Sequence, residues 1–320
     1  ERCTQLYLLG LEGRLEHFHI REDQLPIAVD LVKDEILANY PDLSIPPHTR
    51  WQHFDVKGTN HWYPFKSKIR GDRRLLLAQV DLAVTSVLLD AGAGPDWHFR
   101  DPLTEEKHSR SEGLALASLY LFSKGTFSSD PHDPLKADAE SLRKFSVEQL
   151  AEGFQVSAAN PLVGLEERAA LLRRLGEQLI NFCRTGQEPN PRIANILEKI
   201  PIGEDRILKV DLLLGTLLKL LQDVWPARLT LGGRNLGDVW RHHLLADSEI
   251  TAELVPFHKL SQWLTYSLLE PLEEAGFQVQ DINSLTGLPE YRNGGLFFDT
   301  GVVELKKPDE IDALHPVSSE

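Results

Sequence analysis

Residues 75–89 read LLLAQVDLAVTSVLL, and the chain runs on through residues 90–97 as DAGAGPDW. The first stretch is apolar almost all round a 3.6-residue turn, so it predicts a helix buried on every side rather than one with a solvent face. It is too short to span a bilayer, and it carries Gln79, Asp81, Thr85 and Ser86. The glycine-rich stop places Asp90 at the rim of the core, and its glycines would let a ligand approach the backbone closely. A plain helix stop with Asp90 capping the turn explains the same residues equally well.

A helix of this kind needs neighbours, and the flanking sequence supplies more helices. Residues 21–40 are acidic early, apolar at helical spacing, and stop before Pro41. Residues 111–122 follow Arg110 with Ser111 as N-cap and Gly125 beyond the end. Ser146 and Gln149 form a capping-box pattern at the head of residues 146–154. From Leu165, the positions Ala169, Leu172, Leu175, Leu179 and Phe182 recur at helical spacing up to Gly186. Residues 209–225 and 258–275 are two further helices, the second with a kink expected at Pro271. The three apolar segments 75–89, 165–182 and 209–225 should share one core, because their apolar faces otherwise have nowhere to go. Strand signals are confined to RLEHFHI at 14–20 and GGLFFDTGVVELK at 294–306. With no βαβ alternation, internal repeat or low-complexity linker, the expected fold class is mainly α: a single compact helical domain over residues 1–320, with a few short strands near the termini.

Composition narrows the partners. The chain has 320 residues, 42% hydrophobic and 26% charged, which is ordinary for a globular protein, and a formal net charge of −14. That charge argues against nucleic acid and against an anionic membrane, both of which need a positive surface. A small anion stays open, since a local Arg and Lys cluster can oppose the global sign. The first residues, ERCTQLYLLG, lack a signal-peptide layout, and there is no methionine at all. Cys3 and Cys183 are far apart, with no CxxC. These features point to a soluble protein of the reducing cytoplasm.

The loops carry the chemistry. HTRWQHF at 48–54 gathers His48, Arg50, Trp51, His53 and Phe54 in an order no simple period sorts. RSEG sets Arg110 and Glu112 at a helix start, where the dipole favours an anion or a simple cap. LGDVWRHH offers Asp238, Arg241, His242 and His243, and PFHKLSQW offers His258, Lys259, Gln262 and Trp263. GLPEYRNGG reads as a polar turn with Glu290, Tyr291, Arg292 and Asn293, followed by a strand carrying Asp299. Taken singly, each of the last three is as easily a solvated turn or helix face. Twelve histidines invite a metal, but there is no HExxH, no cysteine pair and no carboxylate–histidine array at zinc spacing. Nor is there a GxSxG elbow or a P-loop. No metal and no cofactor are expected.

Eight blocks, in order, resemble the uracil-catabolism family of fungi and bacteria: PPHTRWQHF, LLDAGAGPDW, RSEGLALASL, GTFSSDPHDPLKADA, NPLVGLEERAALLRRLG, LGDVWRHH, PFHKLSQWLTYSLLEPL and GLPEYRNGGLFFDTGV. The likeness runs from Glu1 to about Leu305 and implies a chain trimmed at its N-terminus relative to the family. That family's pathway opens uracil at the nucleotide level and ends in urea, which implies a step separating urea from ribose. More faintly, NPLVGLEERAALLRRLG and LKLLQDVWPARL are similar to segments of queuosine-nucleotide N-glycosidases, whose helical fold is similar to that of DNA glycosylases.

The resemblance therefore implies hydrolysis of an N-glycosidic bond in a ribosylurea-type compound or its 5′-phosphate. Such a reaction passes through a ribosyl oxocarbenium ion and needs a carboxylate, a donor to the leaving urea and a clamp on hydroxyls or phosphate. The candidate carboxylates are Asp223 and Asp90, then Asp238 and Glu290. The candidate pocket is built of His48, Arg50, Trp51, His53, Arg110, Glu112, His258, Lys259, Gln262, Trp263, Tyr291, Arg292 and Asn293. The implied partner is the small ribosyl substrate, with no nucleic acid and no membrane. The other reading is a non-catalytic nucleotide-binding or scaffold protein of the same pathway. Such a protein would keep a glycosidase-like pocket without turnover; for HTRWQHF itself, the alternative to a pocket wall is that Trp51 and Phe54 are simply core and the rest solvated.

Overall fold

The computed structural model describes residues 1–45, 47–183, 189–226, 228–246 and 251–312. Pro46 and Ala227, which fall within two of the quoted blocks, lie outside them. The architecture is mainly α. In chain order the helices are α1 (Arg2–Leu11), α2 (Leu25–Asn39), α3 (Tyr63–Lys66), α4 (Asp72–Leu88), α5 (Arg110–Ser123) and α6 (Ala139–Arg143). They continue as α7 (Val147–Gly153), α8 (Leu165–Phe182), α9 (Val210–Leu221), α10 (Lys259–Glu274) and α11 (Tyr291–Asp299). No described helix is long and apolar enough to cross a membrane. The chain divides into two compact units. One comprises His48–Gly237 and Leu260–Thr286; the other comprises Glu1–Pro47, Asp238–Lys259 and Gly287–Glu320.

In the larger unit α4 is the buried helix its sequence predicts. Every residue from Ala78 to Leu88 is buried. Helix α8 packs against both α4 and α9, so the three apolar segments do share a core. Its stripe of Leu172, Leu175 and Leu179 is wholly buried, each side chain contributing about 1.5–3 kcal/mol. Gly176, on the same stripe, lets α8 approach α6: a Cβ there would stand 2.8 Å from the Arg143 backbone nitrogen. The Ser146–Gln149 capping box forms as expected at the head of α7.

Three boundaries differ from expectation. Helix α5 begins two residues earlier than expected, at Arg110, with Ser109 rather than Ser111 at its N-cap. Helix α9 stops at Leu221, short of Trp225, because Pro226 disfavours helical geometry at the residue before it. The carbonyls released there are taken by side chains: Asn235 donates to Gln222 and Trp225 at 2.8 and 3.1 Å, and Arg174 to Val224 at 2.6 Å. Short strands are also not confined to the termini. The larger unit has antiparallel pairs at residues 55–60, 99–108 and 230–235, and a parallel pair between Ile207–Lys209 and Gln278–Gln280.

In the smaller unit the two expected strands find each other, Phe18–Ile20 antiparallel to Val303–Leu305. A second antiparallel pair joins Val239–Arg241 to Leu254–Pro256. Asp299 is not on a strand. It closes α11, because an apolar run as short as LFF does not distinguish strand from helix by period. Gly301, at φ 75°, then turns the chain into the strand.

A buried arginine–aspartate pair as candidate functional site

The HTRWQHF stretch forms a 3-10 turn, Arg50–Phe54, and three hydrogen bonds fasten it to α10. Thr49 Oγ1 donates to Glu270 Oε1 at 2.7 Å, the Arg50 backbone N–H to Ser267 Oγ at 3.0 Å, and Trp51 Nε1 to the Ser267 carbonyl at 2.7 Å. The last bond has a cause in the sequence. Pro271 sits inside α10 and has no N–H, so the carbonyl four residues earlier loses its helical partner. The Trp51 indole takes it. Trp51 also packs against Phe54 and Trp62, with ring centroids 5.6 and 6.1 Å away, so its work here is anchorage.

The turn drives Arg50 into the interior, where its side chain is 0% exposed. The guanidinium donates to Asp90 Oδ2 at 2.5 Å and to the carbonyls of Ser86 and Ser111, each at 3.2 Å. Its face lies 4.8 Å from the ring centroid of Trp263. Cation–π attraction strengthens when, as here, both groups are out of water. Burial pushes the Arg50 guanidinium down from its ordinary range, and the Asp90 and Glu112 charges oppose that. His48 stacks on the other partner of this pair: its ring is 5.8 Å from Trp263 at 20°, and His53 meets Trp263 edge-on at 5.8 Å.

Asp90 is delivered by the end of α4. The carbonyls of the helix's C-terminal turn carry partial negative charge and need donors. Arg50 serves Ser86, while Arg168 donates to Leu89 and, at 2.9 Å, to Gly92. Burial lowers the Arg168 pKa, opposed by the charge of Asp90. The carboxylate therefore sits among two guanidiniums and the Ser111 hydroxyl, which donates to Oδ1 at 3.3 Å. Two buried donors, Arg50 Nε and Trp263 Nε1, have no hydrogen-bond partner among the described residues.

The other sequence candidates fall as follows. Arg110 opens α5 in a left-handed conformation, φ 53°, and is exposed, as is Glu112. Gln262 is buried, its Oε1 accepting from the Thr286 backbone and hydroxyl at 3.2 and 2.9 Å. Asp223 is exposed in the turn after α9. In the smaller unit, Lys259 Nζ donates to Glu290 Oε2 at 2.6 Å. Burial raises the Glu290 carboxyl, but Lys259 and Arg292 together bring it below its ordinary range. The Trp240 indole donates to Asp238 Oδ1 at 3.1 Å, and the Asp238 carbonyl accepts from the backbone of Phe257 and His258. Burial pushes the His258 imidazole down, against the opposing charge of Asp238. Tyr291 is largely exposed and carries the Arg292 guanidinium over its ring at 5.4 Å, while the Asn293 N–H donates to the Glu290 carbonyl.

Sequence reading missed Arg168 and Ser111. The signal for Arg168 was present: it lies beside Ala169 and four residues before Leu172, on the buried stripe of α8. A charge on an apolar stripe marks a buried partner.

Fold and site together define a mainly helical protein in which an aromatic and histidine cluster covers a buried arginine–aspartate pair. Residues 1–319 match the family model described as "Protein of unknown function (DUF1688)", and the chain belongs to that family. It is 42% identical over 301 residues to Protein urg3 of Schizosaccharomyces pombe, covering 91% of this chain and 71% of that one. It is 37% identical over 319 residues to Uracil catabolism protein 4 of Lachancea kluyveri, covering 93% and 72%. The likeness to the uracil-catabolism family read from the eight blocks is met by these relatives.

Proposed function

We propose that this protein acts in uracil catabolism as an N-ribosyl hydrolase, splitting a ribosylurea or its 5′-phosphate into urea and ribose or ribose phosphate. Support for the pathway comes from the name of the Lachancea relative. Support for the chemistry comes from one observation: a carboxylate, Asp90, held by a buried cation against aromatic and imidazole rings. In the reaction the bond from C1′ to the urea nitrogen breaks, water adds to C1′, and one water proton ends on the leaving nitrogen. Among the described residues Asp90 Oδ1 accepts from Ser111 alone, which leaves lone pairs to orient that water and stabilise the oxocarbenium charge. The Trp263 indole N–H is a donor suited to the urea oxygen, and the His48 and His53 rings wall the sugar.

A second reading has its own observation. Arg50 and Arg168 both flank the Asp90 carboxylate, and two guanidiniums side by side suit holding an anionic nucleotide without turning it over. Incubating purified protein with ribosylurea and with its 5′-phosphate, and measuring urea release, decides between them. Turnover that falls at least 100-fold in Asp90→Asn, Asp223→Asn, Asp238→Asn or Glu290→Gln supports the hydrolase. Saturable binding with no urea from either compound supports the binder.

A further inference from the structure

A second basic feature lies in the larger unit, away from Asp90. Lys68, Arg70, Arg74 and Arg192 line a cleft of about 140 Å³ whose only lining carboxylate is Asp133. In a protein of net charge −14, four cations around one small cleft oppose the global sign, and a field of that kind is what draws an anion. Arg192 is fixed before any ligand arrives. Its side chain is 14% exposed, Asp81 accepts a hydrogen bond from Nε at 2.9 Å, and Nη2 stands at ion-pair distance, 2.8 Å, from the same carboxylate. Asp133 is shared between Arg74 at 3.3 Å and Arg192 Nη1 at 3.8 Å, so one carboxylate answers two guanidiniums. Lys68 and Arg70 are exposed and have no carboxylate partner among the described residues. Arg70 also precedes Gly71, the N-cap of α4, which supplies no side-chain cap to a seventeen-residue helix. That helix's first turn also carries Asp72, so the positive field of the cleft rests on its four cationic side chains.

Size limits the ligand. The cleft, about 140 Å³, is small, and a phosphate group, with five heavy atoms, is of its scale. Position sets the cleft apart from the arginine–aspartate pair. Arg74 lies in the first turn of α4 and Asp90 just past its last. At 1.5 Å per residue the two are about 24 Å apart, too far for one small molecule to touch both.

We propose that this cleft binds a phosphate group, as inorganic phosphate or as the phosphate of a small monoester, at a site separate from Asp90. Calorimetric titration with inorganic phosphate and with glycerol 3-phosphate, at ionic strength held constant with chloride, tests it. Saturable binding of either is expected, weakened at least tenfold in the Lys68→Gln/Arg70→Gln double variant and unchanged in Asp90→Asn. Equal affinity for the two identifies free phosphate as sufficient; tighter binding of the monoester places its organic part against Ile69 and Leu135. No saturation by phosphate on the order of 10 mM overturns the proposal, as does full binding retained by the double variant. Both changes are at exposed positions, and an unaltered melting curve confirms that the variant is folded.

Discussion

Two aspartates, one inside helix α4 and one just past its end, each meet an arginine in the interior, and they are not equivalent. Asp81, in the middle of the helix, is 0% exposed and accepts three hydrogen bonds, one from Arg192 Nε and one each from the N–H groups of Ala137 and Ala194, at 2.7 and 2.8 Å, with Arg192 Nη2 adding an ion-pair contact at 2.8 Å. Every neighbour is a donor, and nothing is left for a ligand. Its work is to tie α4 to two distant segments of chain. Asp90, past the helix end, is 9% exposed, accepts from Arg50 and from one hydroxyl, and has lone pairs to spare. A buried ion pair by itself thus says little about function. The count of donors already satisfied separates a joint from a site.

Neutral substitutions break this comparison most sharply. In Asp81→Asn the new NH₂ must face donors wherever it turns, so we expect a loss of about 3–5 kcal/mol in unfolding free energy. The folded fraction should keep its activity. In Asp90→Asn the NH₂ can turn to Ser111, whose hydroxyl can accept, while Arg50 loses its counter-charge, so a loss of about 3 kcal/mol, at the low end of that range, is expected. Urea release from the ribosylurea should nevertheless fall about 100- to 1000-fold. Denaturant unfolding and turnover measured on both proteins check this. Equal stability losses would erase the distinction drawn between the two.

How much of this could be read beforehand differs between the two aspartates. Both stood in the quoted run, and the end of the helix pointed to Asp90, because a polar residue after an all-round apolar helix lies at the core's rim. Asp81 interrupts the same apolar run and was the stronger signal of a buried partner, but its partner Arg192 is 111 residues away. No local period reaches that far. The same limit hid the Arg50 environment: HTRWQHF revealed residue types, whereas the groups that meet them come from α4, α5 and α10. Helices were legible because their periods are local. The three-segment make-up of the smaller unit has no comparable signal, since tertiary packing alone brings residues 1–47, 238–259 and 287–312 together.

Asp101 extends the comparison as a second saturated carboxylate. It is 0% exposed, with His61 Nε2 at 2.8 Å, the Tyr120 hydroxyl at 3.0 Å, and the Thr104 and Leu103 groups around it. Burial pushes its carboxyl up, but these hydrogen bonds more than offset that and hold it well below the usual carboxylate range. Burial and the Asp101 charge push the Tyr120 phenol up in turn. A carboxyl whose folded pKa is depressed stabilises the fold above its unfolded pKa, about 3.9, and that contribution fades as pH falls toward the folded value. The stability gap between the protein and Asp101→Asn should therefore be about 2–4 kcal/mol at pH 7 and shrink steadily below roughly pH 4. Unfolding measured from pH 7 to pH 3 reads it. A gap that stays constant over that range means the carboxylate charge is not what the network holds.

The smallest effect concerns how the site is held rather than the site itself. Pro271 leaves the Ser267 carbonyl without its helical donor, and the Trp51 indole fills the place at 2.7 Å. Ser267 is fully buried, so water cannot substitute. Trp51→Phe keeps an aromatic ring but removes the N–H together with part of the indole's packing on Phe54 and Trp62; stranding the buried carbonyl alone costs about 1–3 kcal/mol. Pro271→Ala restores the missing N–H within α10 and gives that carbonyl a second donor. The two changes should then couple: in the Pro271→Ala background, Trp51→Phe should cost about 1 kcal/mol less than it does alone. A double-mutant cycle on unfolding free energies measures the difference. Strict additivity would mean that the carbonyl gains nothing from either donor. The proline would then be a feature of helix α10 alone, with no part in fastening the turn that carries Arg50.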